Sequence, residues 1–223
     1  MNRAELPVLI FGTAGAAKDI YYWIKASNEY GTGDILKVVG FIENDPAMKG
    51  QTIFAGQTVI GTDEEVADII KDYDEIGMVV PFGSPYVRQR IVEELKGFDN
   101  AVFPNIIHPT VIYDKDAGTM GEGNHIGPGV VIESEYTFGD FNYVSGAVEL
   151  GHDMKMGDYN SINPSAATAG NVVFGNRSML GLNACVIQEL HVGDDIVIGA
   201  GAVVTQNLSE PGIYAGVPAK KIK

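Results

Sequence analysis

The chain has 223 residues, enough for two modest domains, with a formal net charge of −14 at pH 7 and a pI of about 4.5. It lacks the clustered lysines and arginines that a nucleic acid or an anionic membrane surface requires, so neither is expected as a partner. The single cysteine, Cys185, excludes an intrachain disulfide and favours a reduced, cytoplasmic protein, and no stretch reaches the roughly 18 apolar residues of an inserted membrane span.

The N-terminal part, residues 1–106, alternates short apolar runs with helical patterns. Buried strands are expected at Val8–Phe11, Val38–Ile42 and Gly77–Val80, with shorter extended segments at residues 59–61 and 100–104. Helices are expected at residues 18–26, 63–71 and 86–95. Strands that alternate with helices predict an α/β domain with a parallel, Rossmann-like sheet.

Three strand ends in this part offer candidate ligand sites: the glycine loop 12–15, the acidic turn 43–45 and the Gly83-Ser84 loop. Ligands bind beyond the carboxyl ends of parallel strands, and a glycine loop that opens a helix presents free N–H groups to a phosphate. Gly12-x-x-Gly15 has no third glycine, so it matches the dinucleotide fingerprint only in part, and a simple turn explains it about as well. A phosphate or nucleotide-sugar therefore fits better than the NAD of an oxidoreductase.

From residue 120 onwards, every sixth residue is apolar except one, Thr168. This row has fifteen positions between residues 120 and 204, and glycine follows nine of them, where it permits a tight or positive-φ backbone. A period of six matches neither a helix nor a single strand and predicts a parallel β-helix. The fifteen positions are Met120, Ile126, Ile132, Phe138, Val144, Leu150, Met156, Ile162, Thr168, Phe174, Leu180, Val186, Val192, Ile198 and Val204.

Together the two parts resemble the bacterial sugar acyltransferases of the sialic-acid O-acetyltransferase type, and most nearly the UDP-4-amino-sugar N-acetyltransferases of bacillosamine biosynthesis. The resemblance implies a left-handed β-helix over residues 107–223, with three hexads in each coil. Five coils would rise about 24 Å. It also implies acetyl-CoA as cosubstrate and a homotrimer with active sites at subunit interfaces. The motifs that carry it are Ile10–Gly15, Phe41–Glu43, Ile107–Thr110, Glu149–Asp153, Leu180–Cys185 and Gly216–Lys220.

His152 is the candidate general base, because a turn position and an imidazole that is neutral near pH 7 suit proton removal from an amine. Asp153 would orient the ring and stabilise the imidazolium. Near Gly170 the apolar row breaks at Thr168, and a backbone N–H there would stabilise a developing oxyanion. The resemblance assigns these roles to the same positions. From the residues alone, a surface His-Asp pair and a plain coil irregularity stay open.

The resemblance also implies which residues bind the two ligands, coenzyme A and the nucleotide-linked amino sugar. It assigns coenzyme A to Ser161, Gly170, Leu182, Ala200 and Lys220. Three positions depart from the family pattern: Ala16 and Ser161 replace histidines, and Asn44 replaces an acidic residue. These changes leave the acceptor sugar open. The nucleotide-linked amino sugar is assigned to Gly12, Thr13, Ala14, Gly15, Ala16, Glu43, Asn44, Gly83 and Ser84.

The sequence therefore predicts direct acetyl transfer from acetyl-CoA to a UDP-linked 4-amino sugar. An O-acyltransferase on another sugar and a catalytically degenerate sugar-nucleotide-binding protein remain alternatives. A zinc carbonic anhydrase of this fold needs three converging histidines. His125, His152 and His191 are separated by 27 and 39 residues, which places them at different points around the coil, so no metal is expected.

Overall fold

The computed structural model describes residues 5–30 and 34–223. They form two compact units, the sheet unit (Met1–Gly83 and Val87–Pro109) and the β-helix unit (Thr110–Lys223), with Ser84–Tyr86 grouped with the latter. The sequence placed the division after residue 106. The sheet unit continues three residues further, because it includes the short strand Ile106–Ile107, whose carbonyl at Ile107 accepts a hydrogen bond from Ser27 Oγ at 2.8 Å.

The sheet unit is built on five parallel strands in the order β3-β2-β1-β4-β5. The central strand, β1, carries Val8, Leu9 and Ile10 with no exposed surface, as expected for a parallel strand buried on both faces. The strands are β1 Glu5–Phe11, β2 Ile35–Ile42, β3 Val59–Gly61, β4 Ile76–Val79 and β5 Ala101–Val102, followed outside this sheet by β6 Ile106–Ile107.

Three α-helices connect these strands: α1 Gly15–Tyr30, α2 Val66–Ile70 and α3 Pro85–Leu95. Three short 3₁₀ turns lie at Pro46–Met48, Phe54–Gly56 and Asp63–Glu65. The predicted single helix 63–71 is therefore a 3₁₀ turn followed by α2. A capping box causes the tight start, since the Thr62 and Glu65 side chains each bond the other's backbone N–H.

The β-helix unit contains one short strand for every predicted hexad, and each strand ends at the predicted residue. Leu150 pairs with Ile132 on one side and Thr168 on the other, so 18 residues, or three hexads, make one coil. All fifteen residues except Met120 are buried. Three parallel sheets form the walls. The first contains β7 Gly118–Met120, β10 Tyr136–Phe138, β13 Lys155–Met156, β16 Val173–Phe174 and β19 His191–Val192.

The second wall contains β9 Val131–Ile132, β12 Glu149–Leu150, β15 Ala167–Thr168, β18 Cys185–Val186 and β21 Val203–Val204. The third contains β8 His125–Ile126, β11 Tyr143–Val144, β14 Ser161–Ile162, β17 Met179–Leu180 and β20 Ile196–Ile198, and continues into β22 Gly212–Ala215 and β23 Lys220–Lys221. The last two strands are antiparallel and close that end of the wall.

The glycines that follow the apolar residues do not have positive φ, which corrects the sequence-based explanation. Positive φ falls two residues later, as at Asp153 and Asn171, with φ of 56° and 58°. Most of these glycines are needed because the next coil passes very close to them, although the nearest atoms to a Cβ built on Gly193 would be 3.4 Å away. A Cβ at Gly151 would lie 2.5 Å from the carbonyl carbon of Ala169.

Two polar ladders run along the β-helix, and neither was predicted. A buried one stacks Asn124, Asn142, Asn160 and Ser178 from coil to coil. The other, here called the cap ladder, lies on the edge between the first and third walls. Each of its side chains accepts the backbone N–H that lies 18 residues earlier, at 2.8–2.9 Å; its members are Asp140, Asp158, Asn176 and Asp194.

Candidate active site

His152 and Asp153 lie in the turn between β12 and β13. His152 Nδ1 is 2.7 Å from Asp153 Oδ2, and about half of each side chain is exposed. The Asp153 backbone N–H donates to Ser134 O at 2.9 Å, which ties the turn to the preceding coil. Because Nδ1 faces the carboxylate, Nε2 is the nitrogen left to exchange a proton with a substrate.

The surroundings of His152 make its imidazole more basic. The hydrogen bond to Asp153 raises the pKa of His152 most, and the charges of Asp153 and Glu133 add to the rise, while partial desolvation opposes it. The imidazolium form is therefore favoured next to the two carboxylates. A group that receives a proton during catalysis benefits from this arrangement.

Gly170 lies one coil above His152, directly against its ring. A Cβ on Gly170 would overlap the imidazole and lie 2.9 Å from Cδ2. Gly170 is buried, and its carbonyl accepts the N–H of Glu189 at 3.0 Å. Within residues 5–30 and 34–223, the N–H of Gly170 has no hydrogen-bond acceptor. The structure thus brings His152, Asp153 and Gly170 together and leaves the Gly170 N–H available beside the imidazole.

Thr168, the one polar residue in the apolar row, is 4 % exposed. Its hydroxyl oxygen lies 3.3 Å from the N–H of Gly151, from which it accepts a hydrogen bond, and its hydroxyl is 3.5 Å from Met154 Sδ. Both contacts flank His152 in sequence. Thr168 therefore satisfies its own buried hydroxyl while contacting both sides of the His152–Asp153 turn.

Glu133 belongs to this cluster but was missed from the sequence. Its Oε2 accepts the backbone N–H of His152 at 2.9 Å. A signal was present: of the six non-glycine residues that directly follow a hexad's apolar residue, Glu133 alone is charged. Its contact joins residues 19 apart, which becomes visible only once the coil length is known.

Of the candidate coenzyme A residues, Gly170 lies beside His152, and the others lie elsewhere on the β-helix unit. Ser161 is buried in β14, half a coil from His152. Leu182 and Ala200 are both exposed and stack on the edge between the third and second walls, where Gly201 N–H donates to Leu182 O at 2.8 Å. Lys220 is exposed on β23, beside Lys221, which pairs with Glu210 at 3.1 Å.

Thr13 and Glu43 meet where β1 and β2 end. Thr13 Oγ1 donates to Glu43 Oε2 at 2.7 Å, and Glu43 Oε1 accepts the N–H of Asn44 at 2.9 Å. Gly12 needs its flexibility, because its φ is +85° and its N–H reaches Ile42 O at 2.7 Å. Two of the three predicted loops are therefore joined by side-chain contact.

The third predicted loop adjoins the first through Phe82, whose ring would lie 3.3 Å from a Cβ on Gly12. Gly83 follows Phe82 within the sheet unit, whereas Ser84 groups with the β-helix unit. Ala14 precedes α1, and Gly15 and Ala16 begin it; within the described residues, apart from the chain neighbours and the helix's own backbone, no atom lies within 4 Å of a Cβ built on Gly15. From β1 the chain continues to β2 on one side of the sheet, whereas β4 lies on the other side of β1. The carboxyl ends of β1 and β4 therefore form the topological switch point, where open sheets bind ligands.

The other two histidines of the β-helix unit, His125 and His191, lie apart from His152. His125 is buried in β8, and His191 is exposed in β19 on another wall. Within the described part of the chain, no three His, Cys, Asp or Glu side chains are grouped so that they could hold a metal ion. Among the same residues, no helix is long and apolar enough to cross a membrane.

No protein-family model matches the sequence, and no curated protein matches it. Solved structures do match over nearly the whole chain. The perosamine N-acetyltransferase from Caulobacter crescentus, a histidine variant in complex with CoA and GDP-perosamine, is 27% identical, with a TM-score of 0.86 over 97% of this chain and 96% of that one.

Two further structures share the fold. The acetyltransferase domain of PglB from Neisseria gonorrhoeae, in complex with acetyl coenzyme A, is 24% identical, with a TM-score of 0.83 over 98% of this chain and 100% of that one. WeeI from Acinetobacter baumannii is 23% identical, with a TM-score of 0.80 over 98% and 100%. The parallel walls and the 18-residue coil fit the left-handed β-helix fold of these acetyltransferases.

Proposed function

We propose that this chain is an acetyl-CoA-dependent N-acetyltransferase whose acceptor is a nucleotide-linked amino sugar. One observation carries the proposal: the His152 imidazole lies between the Asp153 carboxylate and Gly170, whose N–H has no acceptor in the described chain. A base next to a free backbone donor is what transfer from a thioester to an amine requires. The N-acetyltransferase with CoA and an amino sugar among the similar structures supports it.

In the proposed mechanism, acetyl-CoA supplies an acetyl group activated as a thioester. His152 Nε2 accepts a proton from the acceptor amine as its nitrogen bonds to the carbonyl carbon. Asp153 holds Nδ1 and stabilises the imidazolium, and the Gly170 N–H donates to the carbonyl oxygen as negative charge develops there. His152 then returns the proton to the departing thiolate, so that CoA leaves as a thiol and the sugar carries an amide.

The acceptor would bind to the sheet unit, which we interpret as Rossmann-like. The open start of α1 at Gly15 suits the diphosphate, and the Glu43 carboxylate, held by Thr13, suits hydroxyl groups of the nucleotide. A similar structure holds GDP-perosamine. The UDP nucleotide, and a place among the sialic-acid O-acetyltransferase type near the bacillosamine enzymes, remain predictions of the sequence.

The candidate coenzyme A residues suggest a site shared between subunits. Leu182 and Ala200 lie on a different edge from His152, and Ser161 is half a coil away. In a homotrimer, these residues would come together if the edge of one subunit that carries Leu182 and Ala200 met His152 of the next subunit. Lys220 would then meet the adenosine phosphates. Static light scattering of purified protein tests the trimer, since a monomer that remained fully active would contradict it.

The decisive experiment replaces His152 by alanine. We expect kcat to fall about 10²- to 10⁴-fold, the usual contribution of a general base, measured as thiol release from acetyl-CoA with a panel of UDP- and GDP-linked 4-amino sugars. His191→Ala is the matched control, because it removes an exposed histidine from a strand of the first wall, two coils beyond β13. Near wild-type turnover in His152→Ala would refute the proposal, as would a panel in which no amino sugar is acetylated.

A further inference from the structure

We propose that Glu133 is a positioning residue for His152, fixing the backbone of the catalytic turn and holding a negative charge beside the imidazole. The inference rests on the proposed function, because it assigns Glu133 a part in the same proton transfer. Glu133 is exposed and lies just after β9, one coil below His152.

Glu133 is anchored to the strand that leads into His152. Its own N–H donates to Leu150 O at 2.9 Å, and its Oε2 accepts the N–H of His152 at 2.9 Å. The two hydrogen bonds enclose Gly151. Glu133 therefore holds the backbone at both Leu150 and His152. These two hydrogen bonds fix the position of the backbone from which the imidazole extends.

The cap ladder shows that capping alone does not require a carboxylate. On that edge, the Asn176 side-chain oxygen accepts the backbone N–H of Asp158 at 2.8 Å. The Asp158 carboxylate accepts the backbone N–H of Asp140 at the same distance. A neutral amide oxygen therefore satisfies such an N–H. A glutamate at position 133 adds what asparagine or glutamine would not, namely a full negative charge next to His152.

That charge acts on the protonated form of the base. The ionisable groups that influence the His152 ring are Asp153, in direct contact, and Glu133, through space, and the facing residue of the coil above is uncharged Gly170. Both carboxylates raise the pKa of His152. Glu133 thus stabilises the imidazolium that forms when the amine gives up its proton.

Two substitutions separate the two roles. Glu133→Gln keeps an acceptor oxygen but removes the charge, whereas Glu133→Ala removes both. In each variant we expect the acid limb of the kcat/KM–pH profile to move to lower pH, because the imidazolium loses a stabilising neighbour. At the optimum, Glu133→Ala should lose about tenfold in kcat/KM through the missing charge-assisted hydrogen bond, and Glu133→Gln clearly less. Asp140→Asn, which neutralises a remote cap, is the matched control and should leave the profile unchanged.

A titration of the His152 ring by NMR tests the same inference without turnover. Its signal is identified by its loss in His152→Ala, and its pKa should be lower in Glu133→Gln than in wild type. An unchanged His152 pKa together with an unmoved acid limb would overturn the role of Glu133. If wild-type protein acetylated no amino sugar, the proposed function would fail while the titration still decided the effect of Glu133. Should Glu133→Ala not fold, Glu133→Gln alone carries the test.

Discussion

Two edges of the β-helix unit treat the same backbone amide in opposite ways. On the cap-ladder edge, successive turn amides at Glu122, Asp140, Asp158 and Asn176 are each capped by a side chain of the next coil. On the His152 edge, the equivalent amide of His152 is capped from the coil below by Glu133, and that of Gly170 has no acceptor in the described chain. The cap-ladder edge is therefore largely capped, whereas the His152 edge leaves the amides of Ser134, Gly170 and Gln188 without an acceptor in the described chain, and of these Gly170 lies against the His152 ring.

The difference indicates what each edge is for. A saturated row of amides offers a ligand nothing to bind, but it stabilises the stack, because buried or crowded N–H groups are costly when left unpaired. The His152 edge leaves several such amides uncapped, and at Gly170 the His152 imidazole lies beside one of them. Interruptions of a repeat are therefore better guides to chemistry than the repeat itself.

Gly170→Ala changes the His152 edge and should have the largest effect among the glycine and cap-ladder substitutions. The new Cβ would overlap the His152 imidazole, which must move away. A displacement of about 1 Å can cost about 100-fold in rate, so we expect kcat to fall by roughly that factor. Stability should change little, because the atoms displaced belong to a half-exposed side chain rather than to backbone.

The control for Gly170→Ala is the same substitution in a His152→Ala background. If Gly170 acts by leaving room for the imidazole, the second change should cost little further activity there. Equal losses in both backgrounds, measured by thiol release, would show that the two residues act independently.

Gly139→Ala changes the cap-ladder edge and should lower the stability of the protein rather than its activity. A Cβ there would overlap Asp158 Oδ1 and lie 2.9 and 3.0 Å from the carbonyl carbon and oxygen of Gly157. Backbone of the next coil yields less easily than a side chain, so we expect a loss of about 2 kcal/mol in the free energy of unfolding, with kcat of the folded protein unchanged. Chemical denaturation measures it.

Gly193→Ala provides the matched comparison for Gly139→Ala. It follows an apolar residue on the same edge, but the nearest atoms to its Cβ would be 3.4 Å away, at Leu208 O and Ser209 O. It should therefore be nearly neutral. Equal destabilisation by both substitutions would contradict the close-approach explanation of these glycines.

The sequence predicted the β-helix far better than the contacts across it. The period of six placed all fifteen strands, because one apolar residue in six is a local property of the chain. The resemblance supplied the coil of 18, and from that length the contact of His152 with Gly170 follows. Two contacts depend on which atoms of one coil meet the next: the hydrogen bond from the His152 N–H to Glu133 and the close approach at Gly139. Neither can be predicted from the spacing of the repeat.

In the sheet unit, the sequence located the strand ends but not how they are joined. Alternating apolar runs predicted β1, β2 and β4, and the loops after them follow from those bounds. The hydrogen bond from Thr13 to Glu43 links residues 30 apart on adjacent strands, and its existence depends on strand order. The first helix is also longer than predicted, since Gly15 begins it and Tyr30 ends it.

Asp195→Asn should have the smallest effect and probes charge on the cap-ladder edge. Arg177 donates to both oxygens of Asp195, at 2.7 and 3.1 Å, and this hydrogen bonding lowers the pKa of Asp195. A carboxyl whose pKa is lower in the folded state stabilises the fold above its unfolded pKa and stops doing so as pH falls through the folded value. We expect Asp195→Asn to cost about 1 kcal/mol at pH 7.

The cost should begin to shrink as pH falls below about 4, the usual pKa of an unfolded aspartate, and should disappear once pH falls below the lowered pKa of folded Asp195, where the wild-type side chain also loses its charge. Asp158→Asn is the control, because it removes a carboxylate from the same edge but keeps the cap, as Asn176 does one coil later. A pH-independent loss in Asp195→Asn would mean that shape rather than charge matters there. Charge would then matter on the His152 edge, where Asp153 and Glu133 both raise the pKa of the imidazole, and not at Asp195 on the cap-ladder edge.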